Sequence, residues 1–348
     1  MVGLVLPIFF LSVFGFFNLL GISQTSAFSQ LFNYFFAFAG YFIIRKIGRN
    51  FFRDNASVFY WLSFLLLLAT FILGIEVKGS KRWIDLHFFN FQASEFFKIS
   101  LTVFLADIFS RIKKGDELVI LLRSAFFVLI PAFIVFKQPD LGNAMILVFI
   151  YLTILFFSSV PKKYLLYLVV IALIIIPIGW FTLKDYQKQR LTSFVSPHLD
   201  TRGTAYNMVQ AVITIGSGKF LGRGLGLGTQ SRLFFLPENQ TDFAYASLVE
   251  QFGFVGGTIV IMLYLIVAVY LMRLIVDNYY RNKIENRFNY FYSLGLSAYL
   301  FYQVFINIGM NLGIFPIAGV ALPFISYGGS APVSLMIGFA LLPKGLNF

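Results

Sequence analysis

The sequence contains no cysteine and only two histidines, His87 and His198. Without cysteine the chain forms no disulfide and offers no thiolate to a metal. Neither histidine has a second histidine or a cysteine to complete a metal site. Charge is also scarce, because only 12% of the residues are charged, with 15 acidic against 27 basic side chains. These shortages exclude an ordinary soluble domain and a histidine or cysteine metal centre.

Hydrophobic residues make up 59% of the chain, phenylalanine occurs 46 times, and the mean hydropathy is +0.82. Such a composition predicts an all-α polytopic membrane protein, since lipid leaves backbone polar groups no partner outside a helix or a closed barrel. The runs lack the alternation of a barrel. A span takes about 20 residues. Ten predicted helices cover 3–21, 28–44, 57–75, 94–112, 118–136, 141–159, 164–183, 245–274, 288–312 and 328–345.

Basic residues of the short loops predict the orientation of these spans. Fourteen Lys and Arg residues fall on one side of the predicted membrane and four on the other. The positive-inside rule therefore places both termini in the cytoplasm and the longest loop, 184–246, outside the cell. The first apolar run has no basic segment or small-residue cleavage site, so we interpret it as a retained span. The whole chain, 1–348, is expected to form a single transmembrane domain.

The 184–246 loop is basic, although short outer loops are usually poor in positive charge. A loop of this length escapes the positive-inside rule, so the excess needs no function. Alternatively, the loop binds an anionic lipid head group, in particular a diphosphate. Nucleic acid is a poor partner on an outer face. The basic residues of the 184–246 loop are Lys184, Lys188, Arg190, Arg202, Lys219, Arg223 and Arg232, and its acidic residues are Asp185, Asp200, Glu238 and Asp242.

Ionisable residues within the apolar spans are the next signal, because such groups are costly in lipid and usually functional. Glu95 and Lys98 are three residues apart on the fourth span and share a helix face. They are either a buried structural pair or a substrate-facing one. Asp107 and Arg111 are expected to form an interfacial pair. Asp140 is placed to cap the sixth helix.

Glycine recurs at alternate positions from Gly222 to Gly228. This is not a nucleotide-binding loop, because no strand precedes it and the required glycine spacing is absent. A tightly packed loop, or backbone approach to a ligand phosphate, is the better interpretation.

Several motifs together resemble the family of shape, elongation, division and sporulation (SEDS) proteins. They lie at 81–85, 92–98, 138–142, 228–233, 236–238, 241–243, 307–310, 319–320 and 326–330. The Gly-Thr-Gln-Ser-Arg-Leu sequence at 228–233 resembles the RodA branch more than the FtsW branch. One position departs from the family, which usually has histidine where this chain has Gln240. Proton sharing between that side chain and Asp242 is therefore in doubt.

The resemblance implies a peptidoglycan glycosyltransferase that polymerises lipid II on the outer face of the cytoplasmic membrane. Asp242 occupies the position of the family's catalytic acid, and we predict that it is the general base. The predicted cations for the leaving diphosphate are Arg190, Arg202, Arg223 and Lys98. The full predicted substrate-binding set is Lys98, Glu95, Arg190, Arg202, Arg223, Glu238 and Gln210. Glu238 and Glu250 are also interpreted as motif scaffold and helix N-terminal charge.

Two other functions stay open. A lipid II flippase would need polar groups along a crossing path, but the charge concentrates on one side and no inverted repeat is evident. A scaffold role leaves the coincidence of acidic motif and basic loop unexplained. The resemblance also implies a class B penicillin-binding protein as partner, beside membrane lipids. Mg²⁺ or Mn²⁺ assisting the diphosphate is a hypothesis resting on the carboxylates.

Overall fold

The structure is a computed structural model and describes residues 2–77, 80–85, 90–182, 188, 192, 194, 204–279 and 283–343. A helix lies at each of the ten predicted positions. The helices are α1 Val2–Ile22, α2 Gln24–Ile47, α3 Arg49–Asp54, α4 Ala56–Leu73, α5 Ala93–Ser110, α6 Glu117–Lys137, α7 Leu141–Phe156, α8 Lys162–Thr182, α9 Thr204–Ser217, α10 Thr229–Arg232, α11 Ala244–Tyr279, α12 Ile284–Asn311 and α13 Ser330–Ala340.

Counting only the residues that the structure describes, six helices, α1, α2, α4, α6, α11 and α12, are long and apolar enough to cross a membrane. Two further apolar helices, α7 and α13, are shorter. Helix α5 has 18 residues but carries three charged side chains, Glu95, Lys98 and Asp107. The helices expose many large apolar side chains, such as Phe32, Phe35 and Leu73. A surface this apolar is suited to lipid and not to water.

Helix α5 lies at the centre of the bundle. Most of its residues are buried, including charged ones, and it packs against α4, α6, α7, α12 and α13. A helix that is buried all round has no solvent-facing stripe. Gly295 of α12 allows close packing there, since a Cβ on it would lie 2.7 Å from Thr102 of α5 and 2.9 Å from Ile154 of α7.

A small antiparallel sheet connects α4 to α5. Its strands are β1 Ile75–Val77, β2 Ser80–Asp85 and β3 Asn90–Phe91, in the order β1-β2-β3. Trp83 pairs with Ile75, and Ile84 pairs with Phe91. The sequence predicts only helices and loops, so this sheet was not expected. Only β1, Ile75-Glu76-Val77, alternates apolar and polar residues, whereas β2 has Trp83 and Ile84 side by side, so the segment carries no readable strand period.

Helix α9 lies within the segment 184–246 that was predicted as a loop. It buries Ala205, Met208, Ala211 and Thr214, while Val209, Val212 and Ile213 remain exposed. The apolar residues therefore recur on both sides of the helix, and α9 packs against α11 and α12. With only 14 residues it is too short for a span, which is why a search for long apolar runs misses it.

Helix α11 is broken at Gly253, although the sequence predicts one span over 245–274. Gly253 has φ 71° and ψ −172°, which divides the helix into 244–252 and 254–279. Only glycine adopts this backbone conformation without strain. A Cβ at Gly253 would also lie 2.3 Å from the backbone nitrogen of Gly222. The break thus separates a short helix, which follows the acidic motif, from the apolar helix 254–279.

Candidate active site

The acidic motif, residues 236–243, forms a tight turn between α10 and α11. The backbone amides of Thr241 and Phe243 both donate to the carbonyl oxygen of Glu238, each at 3.1 Å. The Thr241 hydroxyl donates to Oε2 of Glu238 at 3.0 Å. Glu238 has φ 54°, a conformation that non-glycine residues seldom adopt. Its backbone is therefore held in place by the contacts of this turn.

Asp242 follows in the same turn, and its side chain is half-buried. Two asparagines of α12 hold its backbone, because Nδ2 of Asn307 and Nδ2 of Asn311 each donate to the Asp242 carbonyl oxygen at 3.0 Å. Both asparagines are fully buried. Oδ1 of Asn311 also accepts from the Ala246 amide at 3.0 Å, at the start of α11. The asparagine pair on α12 therefore links the backbone of Asp242 to the start of α11.

The segment 326–330 holds the two residues before Asp242. The Tyr327 amide donates to the carbonyl oxygen of Gln240 at 2.7 Å, and the Ser326 hydroxyl donates to that of Thr241 at 2.5 Å. Three successive carbonyl groups, those of 240–242, therefore each accept a hydrogen bond from the last third of the chain. Buried hydrogen-bond networks of this kind fix geometry when every member is paired.

Glu250 is a fully buried carboxylate, and its position was interpreted as a helix N-terminal charge. Its carboxylate instead caps the start of α10. Its oxygens accept from the amides of Gln230 at 2.8 Å and Ser231 at 2.9 Å, and from the Ser231 hydroxyl at 2.6 Å. These amides are unpaired donors at the start of α10, where negative charge is favourable. A Cβ at Gly228 would lie 2.6 Å from Oε2 of Glu250, so glycine keeps this approach open.

Three of the predicted substrate-binding residues lie in this region: Glu238 in the acidic turn, Gln210 beside α10 and Arg223 beside Glu250. Nε2 of Gln210, on α9, donates to Oε1 of Gln230. Arg223 is exposed, and its Nε donates to the Ser217 carbonyl oxygen at 2.8 Å. Arg190 and Arg202 lie outside the described residues.

Glu95 and Lys98 form a second polar cluster inside the bundle. Nζ of Lys98 donates to Oε1 of Glu95 at 2.6 Å and to Oδ1 of Asn143 at 2.9 Å. The Tyr299 hydroxyl donates to Oε2 of Glu95 at 2.7 Å, and the ammonium lies 4.3 Å from the Tyr299 ring centroid. Lys98 is 0% exposed. In this conformation the pair is enclosed by protein, which favours the structural interpretation over direct substrate contact.

Asp140 connects this cluster to the β-hairpin. Its Oδ1 accepts from the Asn143 amide at 3.2 Å, so it caps α7 as the sequence predicted. Its Oδ2 accepts from the side chains of Asn143 at 2.8 Å and Gln92 at 3.2 Å. Nε of Arg82 lies 3.9 Å from the same oxygen. Asp107 and Arg111 form the expected ion pair at 2.8 Å, near the opposite end of α5.

Ser330 links the two clusters. Its hydroxyl accepts from the Gln92 amide at 3.0 Å and donates to the Asn90 carbonyl oxygen at 2.9 Å, just before α5 begins. The segment 326–330 therefore touches the Asp242 turn at one end and the start of the Glu95 helix at the other. Gln30 of α2 pairs with both backbone groups of Gly328, at 3.1 and 2.9 Å.

Within the described ranges, no group of three or more His, Asp or Glu side chains is placed to hold a metal ion. Among the described residues, protein side chains alone therefore form no Mg²⁺ or Mn²⁺ site, and assistance of such an ion to the diphosphate stays a hypothesis. Sequence reasoning also missed Asn311, Asn143 and Tyr299. Asn307 and Asn311 had a readable signal, because they are four residues apart on an apolar helix and so share a face.

The fold and this site define a polytopic membrane protein that holds a half-buried carboxylate in a rigid turn at one end of its helices. Residues 1–345 match the family described as cell cycle protein, which covers FtsW, RodA and SpoVE. The peptidoglycan glycosyltransferase MrdB of Escherichia coli K12 is 36% identical over 301 residues, covering 86% of this chain and 80% of that protein.

Solved structures are also similar. A chain from work on structural coordination of polymerization and crosslinking by a peptidoglycan synthase complex has a TM-score of 0.81 and 25% identity, covering 98% of this chain and 96% of that one. The rod shape determining protein RodA of Thermus thermophilus has a TM-score of 0.71 and 24% identity, with 98% and 95% covered. This chain belongs to the FtsW, RodA and SpoVE family. The predicted SEDS resemblance and its RodA-like character are confirmed.

Proposed function

We propose that this protein is a peptidoglycan glycosyltransferase of the RodA type that polymerises lipid II with Asp242 as general base. The observation that carries the assignment of the base is the fixed backbone of 240–242, from which the half-buried Asp242 side chain projects. Proximity and orientation of this kind supply much of an enzyme's rate, and a 1 Å misplacement costs roughly 10²-fold.

In the reaction, the Asp242 carboxylate takes the proton from the 4-hydroxyl of the acceptor sugar as its oxygen attacks the anomeric carbon of the donor. The bond from that carbon to undecaprenyl diphosphate breaks, and the diphosphate leaves with the bonding electron pair. Attack from the opposite face inverts the anomeric centre, so an α-linked donor gives a β-linked product. One carboxylate suffices for this displacement.

The leaving diphosphate requires positive charge. Arg223 is exposed and suited to this role, and Arg190 and Arg202 belong to the same predicted set. Lys98 would reach a substrate only if its cluster opened, because it is enclosed by Glu95, Asn143 and Tyr299. We therefore assign Glu95 and Lys98 to maintaining the bundle around the site, with substrate contact as the alternative. Glu238 and Gln210 shape the turn and its α10 support.

We propose that the protein lies in the cytoplasmic membrane with both termini in the cytoplasm and Asp242 outside, as the distribution of Lys and Arg in the short loops predicts. A class B penicillin-binding protein is the expected partner for cross-linking. This proposal takes support from a structural relative described as part of a peptidoglycan synthase complex.

The test is polymerisation of purified lipid II by the protein with its penicillin-binding partner, comparing wild type with Asp242→Asn at equal folded amounts. Loss of a general base predicts a fall of about 100-fold or more. Asp107→Asn is the matched control, because it makes the same change in a carboxylate at the far end of α5 and should leave polymerisation unchanged. Equal activity of wild type and Asp242→Asn would refute the assignment of the base. Movement of lipid II across liposomes without polymerisation would favour the flippase.

A further inference from the structure

The segment 219–235 is apolar and basic, and it contains no acidic residue. Large apolar side chains project from it, including Leu221 at 76% and Leu227 at 64% exposed. Three exposed cations accompany them, Lys219, Arg223 and Arg232. In water such a surface would be unfavourable, whereas aromatic, leucine and basic side chains together are typical of the membrane interface.

The backbone of this segment is fixed at the break in α11. The amides of Arg223 and Gly224 donate to the carbonyl oxygens of Glu250 at 2.8 Å and Gln251 at 3.1 Å, where the short helix ends. The amides of Phe254 and Val255 donate to the carbonyl oxygens of Lys219 at 2.9 Å and Phe220 at 3.2 Å, where the apolar helix begins. The segment thus satisfies the unpaired groups of two helix ends.

These hydrogen bonds fix the segment beside the start of the apolar helix 254–279, and the depth of that helix in the bilayer therefore sets the depth of the segment. Phe254 is the first residue of the apolar helix 254–279, and its ring stacks on that of Phe220 with centroids 6.2 Å apart. Below Phe254, the exposed residues Met262, Leu265 and Val269 continue along the same helix. Phe220 therefore extends a surface that faces lipid.

The end of α1 also contacts the segment, and it indicates the same depth. A Cβ at Gly226 would lie 3.5 Å from the carbonyl oxygen of Gly21, at the end of α1. The Gly226 amide donates to Oε1 of Gln251 at 3.1 Å, and Nε2 of Gln251 donates to Oδ1 of Asn18 at 2.8 Å. The segment is therefore attached where two membrane-crossing helices end.

We propose that residues 219–235 lie in the bilayer boundary at the Asp242 end of the protein. Their leucine and phenylalanine side chains enter the region between head groups and acyl chains, and Lys219 and Arg232 contact anionic lipid head groups. Through Glu250 and α10, this contact sets the height of the acidic turn above the membrane, as a lipid-linked substrate requires. The inference rests on the surface and its attachment, and it holds whichever residue is the base.

The absence of cysteine allows a direct test by site-directed spin labelling. Leu221→Cys and Leu227→Cys are each labelled with a nitroxide in the full protein, reconstituted in nanodiscs containing phosphatidylcholine and phosphatidylglycerol. Leu265→Cys, in the middle of the apolar helix, is the lipid reference, and Lys114→Cys, in the exposed turn between α5 and α6, is the water reference. Collision rates with oxygen and with a soluble nickel complex report the depth of each label.

We expect both loop labels to lose nickel collisions relative to the label at 114 and to gain oxygen collisions toward the value at 265. Nickel accessibility equal to that at 114 would overturn the proposal. Protection that appears only after the penicillin-binding partner is added would also overturn it, and would assign the surface to that protein. In phosphatidylcholine alone, or with Lys219→Gln and Arg232→Gln together, the protection should weaken; no change would remove the role of anionic head groups.

Discussion

Replacing Asn311 by alanine tests whether the asparagine pair positions Asp242, the proposed general base. The change removes the donor to the Asp242 carbonyl oxygen at 3.0 Å and the acceptor for the Ala246 amide at 3.0 Å. The Asp242 carbonyl keeps Asn307, but the buried Ala246 amide loses the side chain that pairs it. One buried unpaired donor costs about 1–3 kcal/mol, and each lost bond about 1 kcal/mol. The free energy of unfolding should therefore fall by about 2–4 kcal/mol.

The effect on activity separates positioning from folding. If the turn shifts by a few tenths of an ångström to 1 Å, kcat should fall by roughly 10- to 100-fold, while KM for lipid II changes little. Asn278→Ala is the matched control, since Asn278 is a buried asparagine that donates to Leu274 of its own helix at 2.7 Å, away from the acidic turn. It should lower the thermal midpoint with kcat unchanged. Wild-type kcat in Asn311→Ala, together with a lowered midpoint, would contradict the positioning role.

Two further predictions concern the bundle and the broken helix. Lys98→Met should lower stability by about 3–5 kcal/mol, because it leaves Glu95 charged and buried without its cation, and Glu95→Gln in the same chain should restore most of the loss. The thermal midpoints of single and double variants decide this, and a double variant as unstable as the single one would argue against a coupled pair. Gly253→Ala should cost about 3 kcal/mol or more, because its backbone has φ 71° and a Cβ would lie 2.3 Å from Gly222. Gly216→Ala, in an open helical position, should instead be neutral or stabilising by up to about 1 kcal/mol. Equal midpoints for the two glycine variants would show that the break tolerates a side chain.

The sequence predicts the positions of the helices well, because a long apolar run without the alternation of a barrel is stable in lipid only as a helix. It also predicts that Asp140 caps α7, since a carboxylate directly before an apolar run has a local partner in the first turn. The predicted lengths of the helices are less accurate. In the described part of the run 328–345, which ends at 343, the helix covers Ser330–Ala340, and the run 245–274 contains a break at Gly253.

Features that depend on distant residues were not predictable in this way. Residues 219–224 form hydrogen bonds with the backbone on both sides of the break at Gly253, and no local sequence pattern indicates this contact. Glu250 caps α10 instead of its own helix because the chain folds back by about twenty residues. The asparagines that hold Asp242 lie more than sixty residues away along the chain. The resemblance placed Asn307 and 326–330 among the motifs typical of the family, but only the structure shows that they bind the turn.

The order in which this site is assembled follows from the residues that hold the acidic turn. Residues 236–243 leave the ribosome well before Asn307, Asn311, Ser326 and Tyr327, which bind their carbonyl groups. During synthesis the carboxylate is therefore present without the framework that orients it, while α12 and α13 are still to be inserted. A protein built in this order leaves the acidic turn without its hydrogen-bond partners until its last helices have entered the membrane, so an incomplete chain would carry Asp242, the proposed base, on an unordered backbone.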